Sequence, residues 1–335
     1  MSKRILAAAC AAATALALSA CSSTPSSEGN ATKDGTLTVM ASFYPLQYLA
    51  EKIGGEHVTV TSLTPAGAEP HDLELSPKTV DALASADAVV YLAGFQSAVD
   101  EAIEQQAPKT VIDVSPAAEL VEANSSANHP SEDEDEAQSG ESATEEHADH
   151  DHEGHDHEGH HHDMSADPHF WLDPVRMASA ATLVGDKLAE ADPANADTYK
   201  ANAKALNEEL SALGDDLVAK TATCQIKTFV TAHTAFGYLA DRTGLTQVGI
   251  SGLDPDSSPS PARLAEIGQI AKDQGVTTIF TEALIDPKVA QTLADDLGIS
   301  TAVLDPIESQ TDSSKDYAAV MKDNINALTT ANNCQ

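Results

Sequence analysis

The sequence predicts an α/β protein of two small lobes, each with a four-stranded, mainly parallel sheet, joined by one long rigid helix. Short apolar runs alternate with helical patterns along the chain, and they do so in two separate series of four runs. A continuous helical pattern lies between the two series. Strands that alternate with helices favour parallel sheets, because a parallel connection needs a crossover.

The eight predicted strands are short runs rich in Val, Ile, Thr and aromatic residues. The runs of the first series are Leu37–Phe43, Val58–Leu63, Ala88–Ala93 and Thr110–Val114. The runs of the second series are Lys227–Ala232, Thr246–Ile250, Thr277–Thr281 and Thr301–Leu304.

Both series carry the same helix-start signal. Ser76-Pro77 and Ser260-Pro261 each place a serine at the N-cap and a proline at the first helical position. Between the series, Asp192-Pro193 interrupts an Ala, Leu, Glu and Lys-rich stretch. We therefore expect one helix before that point and a second, roughly 40 Å long, from about Ala194 to Lys220. This divides the chain into an N-terminal lobe (37–190), a linking helix (191–222) and a C-terminal lobe (223–335).

The first residues are typical of an export signal. Lys3 and Arg4 precede an apolar run, Ile5–Ala20, that is too short to span a bilayer by itself. The run ends in Leu-Ser-Ala-Cys21, which resembles a bacterial lipobox, so we expect a signal peptide over 1–20, lipidation of Cys21 and a polar tether over 21–36. The alternative is an ordinary signal peptide followed by a chance cysteine.

Removal of the signal takes Cys10 with it, and acylation of Cys21 leaves only Cys224 and Cys334. In an oxidising compartment these two thiols have one pairing available, which predicts a disulfide. Two free buried thiols are the alternative.

Charge excludes one class of function. The 335 residues include 18 Lys or Arg and 53 Asp or Glu, so the formal net charge is −35. Nucleic-acid binding needs a basic surface, which this chain cannot supply.

Much of this charge lies in one insertion within the N-terminal lobe, residues 122–166. Between residues 129 and 163 it holds nine of the 13 histidines and 14 acidic residues, without Lys or Arg. With almost nothing to bury, the segment is expected to be disordered. Its histidines either capture metal weakly or belong to a dispensable solvated tether. The histidines assigned to this auxiliary role are His147, His150, His152, His155, His157, His160, His161 and His162.

The remaining histidines indicate a second, more specific metal site. His71 follows the second strand, His233 follows the first strand of the second series, and Asp305 follows the last strand. Ligands bind at the carboxyl ends of parallel strands, and His169, just before the helix start at Asp173, can join them. Three imidazoles and one carboxylate complete a tetrahedral shell that suits Zn²⁺ and tolerates Mn²⁺.

Three other residues near the predicted ligands are not counted among the four. Glu282 follows the third strand of the second series and could hold an imidazole N–H or act as a substitute ligand. A solvated acid at a strand end is an equal alternative. His57 lies at the opposite end of a strand, and Glu69 is left unassigned although it is near His71.

Several motifs, taken in order, resemble one family. They are the lipobox, Pro70-His71 before a Ser-Pro helix, the His-rich insertion, PHFWLDP (168–174), HTAFGY (233–238) and LDP (304–306). The chain resembles the zinc and manganese substrate-binding lipoproteins of bacterial ABC transporters from about Leu37 to its C-terminus. The resemblance implies that His71, His169, His233 and Asp305 hold the metal between two lobes.

It also implies a monomer that delivers the ion to a membrane permease and its ATPase and performs no catalysis. Zinc-type members tend to have histidine where His233 stands, and manganese-type members glutamate, so zinc is the expected cargo. The alternatives are a manganese-binding protein, an exported zinc hydrolase, and a surface adhesin or metal-storage protein. Against a hydrolase, the sequence has no His-Glu-x-x-His motif, and Asp305 would fill the open position that catalysis needs.

Overall fold

The structure is a computed structural model that describes residues 35–122 and 166–335. The predicted signal peptide, Cys21, nearly all of the tether and the insertion histidines lie outside the described residues.

The N-terminal sheet has four parallel strands in the order β2-β1-β3-β4. Its strands are β1 (Leu37–Ala41), β2 (Val58–Ser62), β3 (Ala88–Tyr91) and β4 (Val111–Asp113). Its helices are α1 (Tyr44–Gly54), α2 (Pro77–Leu83), α3 (Ser97–Gln106) and α4 (Ser115–Ala118).

Two long helices, α5 (Pro174–Ala191) and α6 (Ala196–Thr221), follow the N-terminal sheet and pack along each other. A rise of about 1.5 Å per residue makes α6 roughly 39 Å long. The two helices approach closely at Gly185, where an added Cβ would come within 2.3 Å of the Ala203 side chain. Glycine at this position therefore sets how closely the pair can pack.

The C-terminal sheet repeats the first arrangement, with parallel strands in the order β6-β5-β7-β8. Its strands are β5 (Thr228–Thr231), β6 (Thr246–Gly249), β7 (Thr278–Thr281) and β8 (Ser300–Val303). Its helices are α7 (Gly237–Thr243), α8 (Pro261–Asp273), α9 (Lys288–Leu297) and α10 (Tyr317–Ala331).

One apolar core runs through both halves of the molecule. It includes Phe43 and Trp171 on the N-terminal side, Leu210 in α6, and Phe236 and Tyr317 on the C-terminal side, all fully buried. Smaller clusters cover the other faces of the two sheets. The shared core supports a rigid relation between the two sheets, because moving one against the other would expose apolar surface.

The predicted fold class is confirmed, with both sheets entirely parallel. The side chains of Ser76 and Ser260 accept hydrogen bonds from backbone N–H groups three residues later, as N-caps do. The predicted disulfide is also confirmed, since Cys224 and Cys334 are bonded across a sequence separation of 110 residues. No helix within 35–122 and 166–335 combines the length and apolar character needed to cross a membrane.

Candidate metal centre

Four side chains from four different segments meet between the two sheets. His71, His169, His233 and Glu308 each offer one ligand atom, and these atoms lie within 4.8 Å of one another. The centroids of the imidazole rings are 5.3 Å apart for His71 and His169, 5.3 Å for His169 and His233, and 6.1 Å for His71 and His233.

His71 lies in the loop that connects β2 to α2. The buried Gln96 side chain holds this loop, since its amide donates to Thr64 Oγ1 at 3.0 Å and to the Pro70 carbonyl at 3.0 Å. Between Thr64 and Pro70, the Gly67 N–H donates to Ser309 Oγ at 2.7 Å. The loop of the N-terminal sheet is thus fastened next to Glu308.

His169 is fully buried in the segment before α5, and Asp167 sets its orientation. One carboxylate oxygen of Asp167 accepts the backbone N–H of His169 at 2.9 Å and lies 2.8 Å from its ring Nδ1. This contact leaves Nε2 facing the other residues of the group, 3.2 Å from Glu308 Oε1. A carboxylate on the distal ring nitrogen is the usual partner of a metal-binding histidine.

His233 follows β5, and Glu282, which follows β7, orients it. Glu282 accepts the backbone N–H of His233 at 3.0 Å and lies 2.7 Å from Nδ1. The His233 carbonyl accepts hydrogen bonds from Thr231 Oγ1 and from the buried Gln247 amide. In the strand order β6-β5-β7-β8, β5 and β7 lie on either side of the topological switch point. His233 and Glu282 follow these two strands, at the position where open α/β sheets bind ligands.

Glu308, not Asp305, is the carboxylate in the four-residue group. Asp305 Oδ1 instead accepts the backbone N–H of Ile307 at 2.8 Å, while Asn324 pairs with the backbone N–H and C=O of Asp305. Ile307 has a φ of +58°, unusual for a β-branched residue, and this bend is followed directly by Glu308. Asp305 therefore stabilises the turn that presents Glu308, whereas the sequence predicts Asp305 as the carboxylate ligand.

The electrostatics of the group are those of a carboxylate among imidazoles. Burial raises the pKa of Glu308, but the neighbouring imidazoles of His169, His233 and His71 outweigh burial and hold that pKa well below its ordinary range. Burial lowers the pKa of His233 and His169, yet their carboxylate partners raise both pKa values above the usual histidine value. For His71 burial dominates, and its pKa is lowered.

A cavity of about 300 Å³ is lined by residues close in sequence to His71 and His233. Its lining includes Glu69, Ala232, Asp256 and Leu284, and Ala232 directly precedes His233. Burial and the nearby Glu308 charge raise the pKa of Glu69 to about 8.

The donor set fits a borderline divalent cation. Among the described residues, the buried Nε2 of His233 and the Oε2 of Glu308 have no hydrogen-bond partner. Unpaired buried polar atoms are costly unless they bind something, and three imidazoles with one carboxylate suit tetrahedral Zn²⁺.

The sequence placed the three histidines that the structure brings together. It assigned Glu282 either as a partner of an imidazole N–H or as a substitute ligand, and the structure puts it against His233 Nδ1. It missed Glu308 and Asp167. Asp167 lies two residues before His169, close enough in sequence for its carboxylate to contact the imidazole ring. Glu308 follows a backbone bend that no local sequence pattern indicates.

Comparisons with known proteins find relatives whose names describe zinc binding and zinc uptake. Residues 39–331 match the family described as "ZnuA: Zinc-uptake complex component A periplasmic". The chain is 35% identical over 301 residues to zinc-binding protein AdcA of Streptococcus pyogenes serotype M3, covering 88% of this chain and 56% of AdcA. It thus spans about half the length of that relative. It is 33% identical to the high-affinity zinc uptake system protein ZnuA of Bacillus subtilis, with 93% of each chain covered.

Solved structures give the same result. The crystal structure of AdcAII from Streptococcus pneumoniae superposes with a TM-score of 0.73 at 28% identity, covering 89% of this chain and 100% of AdcAII. Laminin-binding protein Lmb of Streptococcus agalactiae, described as having adhesin and metal-transporting activity, gives a TM-score of 0.72 at 28% identity, covering 88% and 99% of the two chains. On the family match over residues 39–331, the chain belongs to the ZnuA family of zinc-uptake components.

Proposed function

We propose that this protein is the extracytoplasmic zinc-binding subunit of an ABC importer. It would capture one Zn²⁺ at His71, His169, His233 and Glu308 and release it to a membrane permease powered by an ATPase. The observation that carries the proposal is the buried group itself, in which four ligand atoms lie within 4.8 Å of one another. Zinc is here the transported cargo.

The ligand types favour zinc over manganese. Mn²⁺ prefers oxygen ligands, whereas imidazole suits Zn²⁺, and three of the four residues in the group are histidines. The names of AdcA and ZnuA, which describe zinc binding and zinc uptake, support the same choice. Mn²⁺ is expected to bind more weakly at the same four residues.

Binding without catalysis is the better match to the site. A catalytic zinc keeps an open coordination position for water, while structural and carrier sites are closed by four protein ligands. Four ligands are available here, and three of them are fully buried. We therefore expect no hydrolytic activity from the zinc-loaded protein.

The location and partners follow from the sequence. The lipobox at Cys21 supports an N-terminal lipid anchor that holds a monomer at the outer face of the cell membrane. The name "zinc-binding lipoprotein AdcA" in Streptococcus pneumoniae supports the same interpretation. The division into lobes 37–190 and 223–335 with a linking helix over 191–222 stays a prediction, as does weak zinc capture by the insertion.

A chelator-competition titration of the mature chain tests this function. We expect one tight zinc equivalent, and weaker equivalents that disappear when residues 129–163 are deleted. His71→Ala is expected to weaken the tight site roughly 100-fold, because one ligand of four is lost. His57→Ala is the matched control, since His57 lies outside the group and its ring packs against Tyr199. Tight binding that survives His71→Ala unchanged, or that the deletion abolishes, would contradict the proposal.

A further inference from the structure

Tyr238, in the first turn of α7, connects the two histidine segments that come from opposite halves of the molecule. It lies five residues after His233 and is 2% exposed. Its hydroxyl donates to the Asp167 carbonyl at 2.7 Å and accepts the Val121 N–H at 3.0 Å. The hydroxyl therefore reaches from the His233 segment to the residue whose carboxylate orients His169.

A second contact fastens the same helix to the same segment. Arg242, one turn further along α7, pairs with both carboxylate oxygens of Asp173, the N-cap of α5. The Arg176 guanidinium lies 4.8 Å from the centre of the Tyr238 ring. Asp167 and Asp173 lie on either side of His169 in the sequence. Residues of α7 therefore contact this segment at both of its ends.

We propose that Tyr238 and Arg242 are positioning residues that fix the distance between His169 and His233 before zinc arrives. This inference rests on the proposed function and adds residues that do not touch the metal. Zn–N bonds of about 2.0–2.1 Å in a tetrahedron place two ligand nitrogens about 3.3 Å apart. Side chains from separate segments of the chain keep such a spacing only if their backbones are held together.

The contacts of Tyr238 and Arg242 with the His169 segment also reduce the entropic cost of zinc binding. A site held in its bound geometry loses less conformational freedom when the ion enters than a site that must assemble. His169 and His233 each have a carboxylate on Nδ1, and α7 links their backbones, so this pair is oriented without the metal. Loosening α7 should therefore weaken zinc binding without removing any ligand.

The test compares two buried tyrosine hydroxyls. Tyr238→Phe removes the hydroxyl that links the segments. Tyr199→Phe is the matched control, because Tyr199 is also buried and its hydroxyl bonds to Asp192 at 2.9 Å between α5 and α6. We expect Tyr238→Phe to raise the zinc Kd about tenfold, the lower end of the range for partners outside the ligand shell, and Tyr199→Phe to change it less than twofold.

A spectroscopic readout separates positioning from general stability. Co²⁺ in place of zinc reports tetrahedral geometry through its visible absorption bands, which we expect to weaken and shift in Tyr238→Phe and to stay unchanged in Tyr199→Phe. Urea unfolding of the metal-free proteins measures the stability loss of each variant. Equal zinc affinity in wild type and Tyr238→Phe would overturn the inference, and so would equal weakening by both variants.

Arg242→Lys tests the other contact and decides the question if Tyr238→Phe does not fold. Lysine keeps the charge but cannot bridge both oxygens of Asp173, so we expect a Kd increase of about threefold to tenfold. An unchanged Kd would refute a role for α7. A wild-type chain that binds no zinc would refute the proposed function, whereas tight wild-type binding with unaffected α7 variants would refute this inference alone.

Discussion

The exchange of carboxylate roles between Asp305 and Glu308 leads to a pair of nearly isosteric variants. Asp305→Asn and Glu308→Gln each replace one carboxylate oxygen with an amide nitrogen and remove one negative charge. Asp305 accepts the Ile307 N–H through Oδ1, a bond that asparagine also makes. Glu308 Oε1 lies 3.2–3.4 Å from the Nε2 atoms of His169, His71 and His233.

The expected magnitudes differ widely. Structural zinc sites bind with roughly 10–16 kcal/mol shared over four ligands, or about 2.5–4 kcal/mol for each ligand. Loss of the anionic ligand in Glu308→Gln should therefore raise the zinc Kd roughly 100-fold to 1000-fold. Asp305→Asn exchanges one hydrogen-bond acceptor for a neutral one, which costs about 0.5 kcal/mol, so its Kd should rise by about threefold or less.

Chelator competition measures both dissociation constants under the same conditions. Circular dichroism and thermal unfolding of the metal-free variants establish that each is folded. If Asp305→Asn weakened zinc binding as much as Glu308→Gln, Asp305 would belong to the ligand shell and the geometry described above would be wrong. Unchanged affinity in Glu308→Gln would likewise remove Glu308 from the site.

Three further predictions follow from the same contacts. The pKa values of His169 and His233 are raised above the usual histidine value, so in the metal-free protein both rings hold a proton to higher pH than an ordinary histidine. Zinc must displace any such proton, so it should release protons on binding and bind more weakly as the pH falls. Calorimetry in buffers of different ionisation enthalpy measures this release, and its absence would contradict the account. Glu282→Gln should raise the zinc Kd about 10–100-fold in the same competition assay, because the amide holds the His233 ring less well, and an unchanged Kd would argue against its orienting role. Cys224→Ala should lower the free energy of unfolding by up to about 4–5 kcal/mol in urea titrations, because the bond to Cys334 closes a long loop. Zinc affinity should stay unchanged, since neither cysteine belongs to the four-residue group, and a loss of zinc binding in the folded variant would contradict this.

The fold could be predicted because its signals are local. Each strand is a short β-branched run, and Ser76-Pro77 and Ser260-Pro261 mark helix starts in the sequence itself. The long helix was predicted from about Ala194 and begins at Ala196, where the chain has completed the turn after Asp192-Pro193. Such patterns depend on backbone sterics and burial over a few residues, which the sequence records directly.

The site could be predicted only in part. His71 and His233 follow strands whose carboxyl ends face the cleft, so strand prediction was enough to place them. Glu308 was missed because its position depends on the left-handed backbone at Ile307. A β-branched residue rarely adopts that conformation, so the sequence gives no reason to expect it there. Asp305, directly after the strand, was the nearer carboxylate in sequence, but its hydrogen bond to the Ile307 N–H turns it away from the ligand group.

Tyr238 belongs to the HTAFGY motif, but the sequence gives no sign of what its hydroxyl contacts. Its hydroxyl joins backbone groups of Val121 and Asp167, which are far from it in sequence and come from the other half of the fold. Contacts between side chains and distant backbone groups depend on how the two sheets pack, and periodicity carries no information about that packing.

The most direct test of the central claim is an anomalous difference map collected at the zinc absorption edge from crystals of the zinc-loaded protein. We predict a strong peak at the centre of His71, His169, His233 and Glu308, with Zn–N distances of about 2.0–2.1 Å and a carboxylate bond of about 2.0–2.2 Å. A peak coordinated by Asp305 in place of Glu308, or no peak among the three imidazoles, would contradict the account.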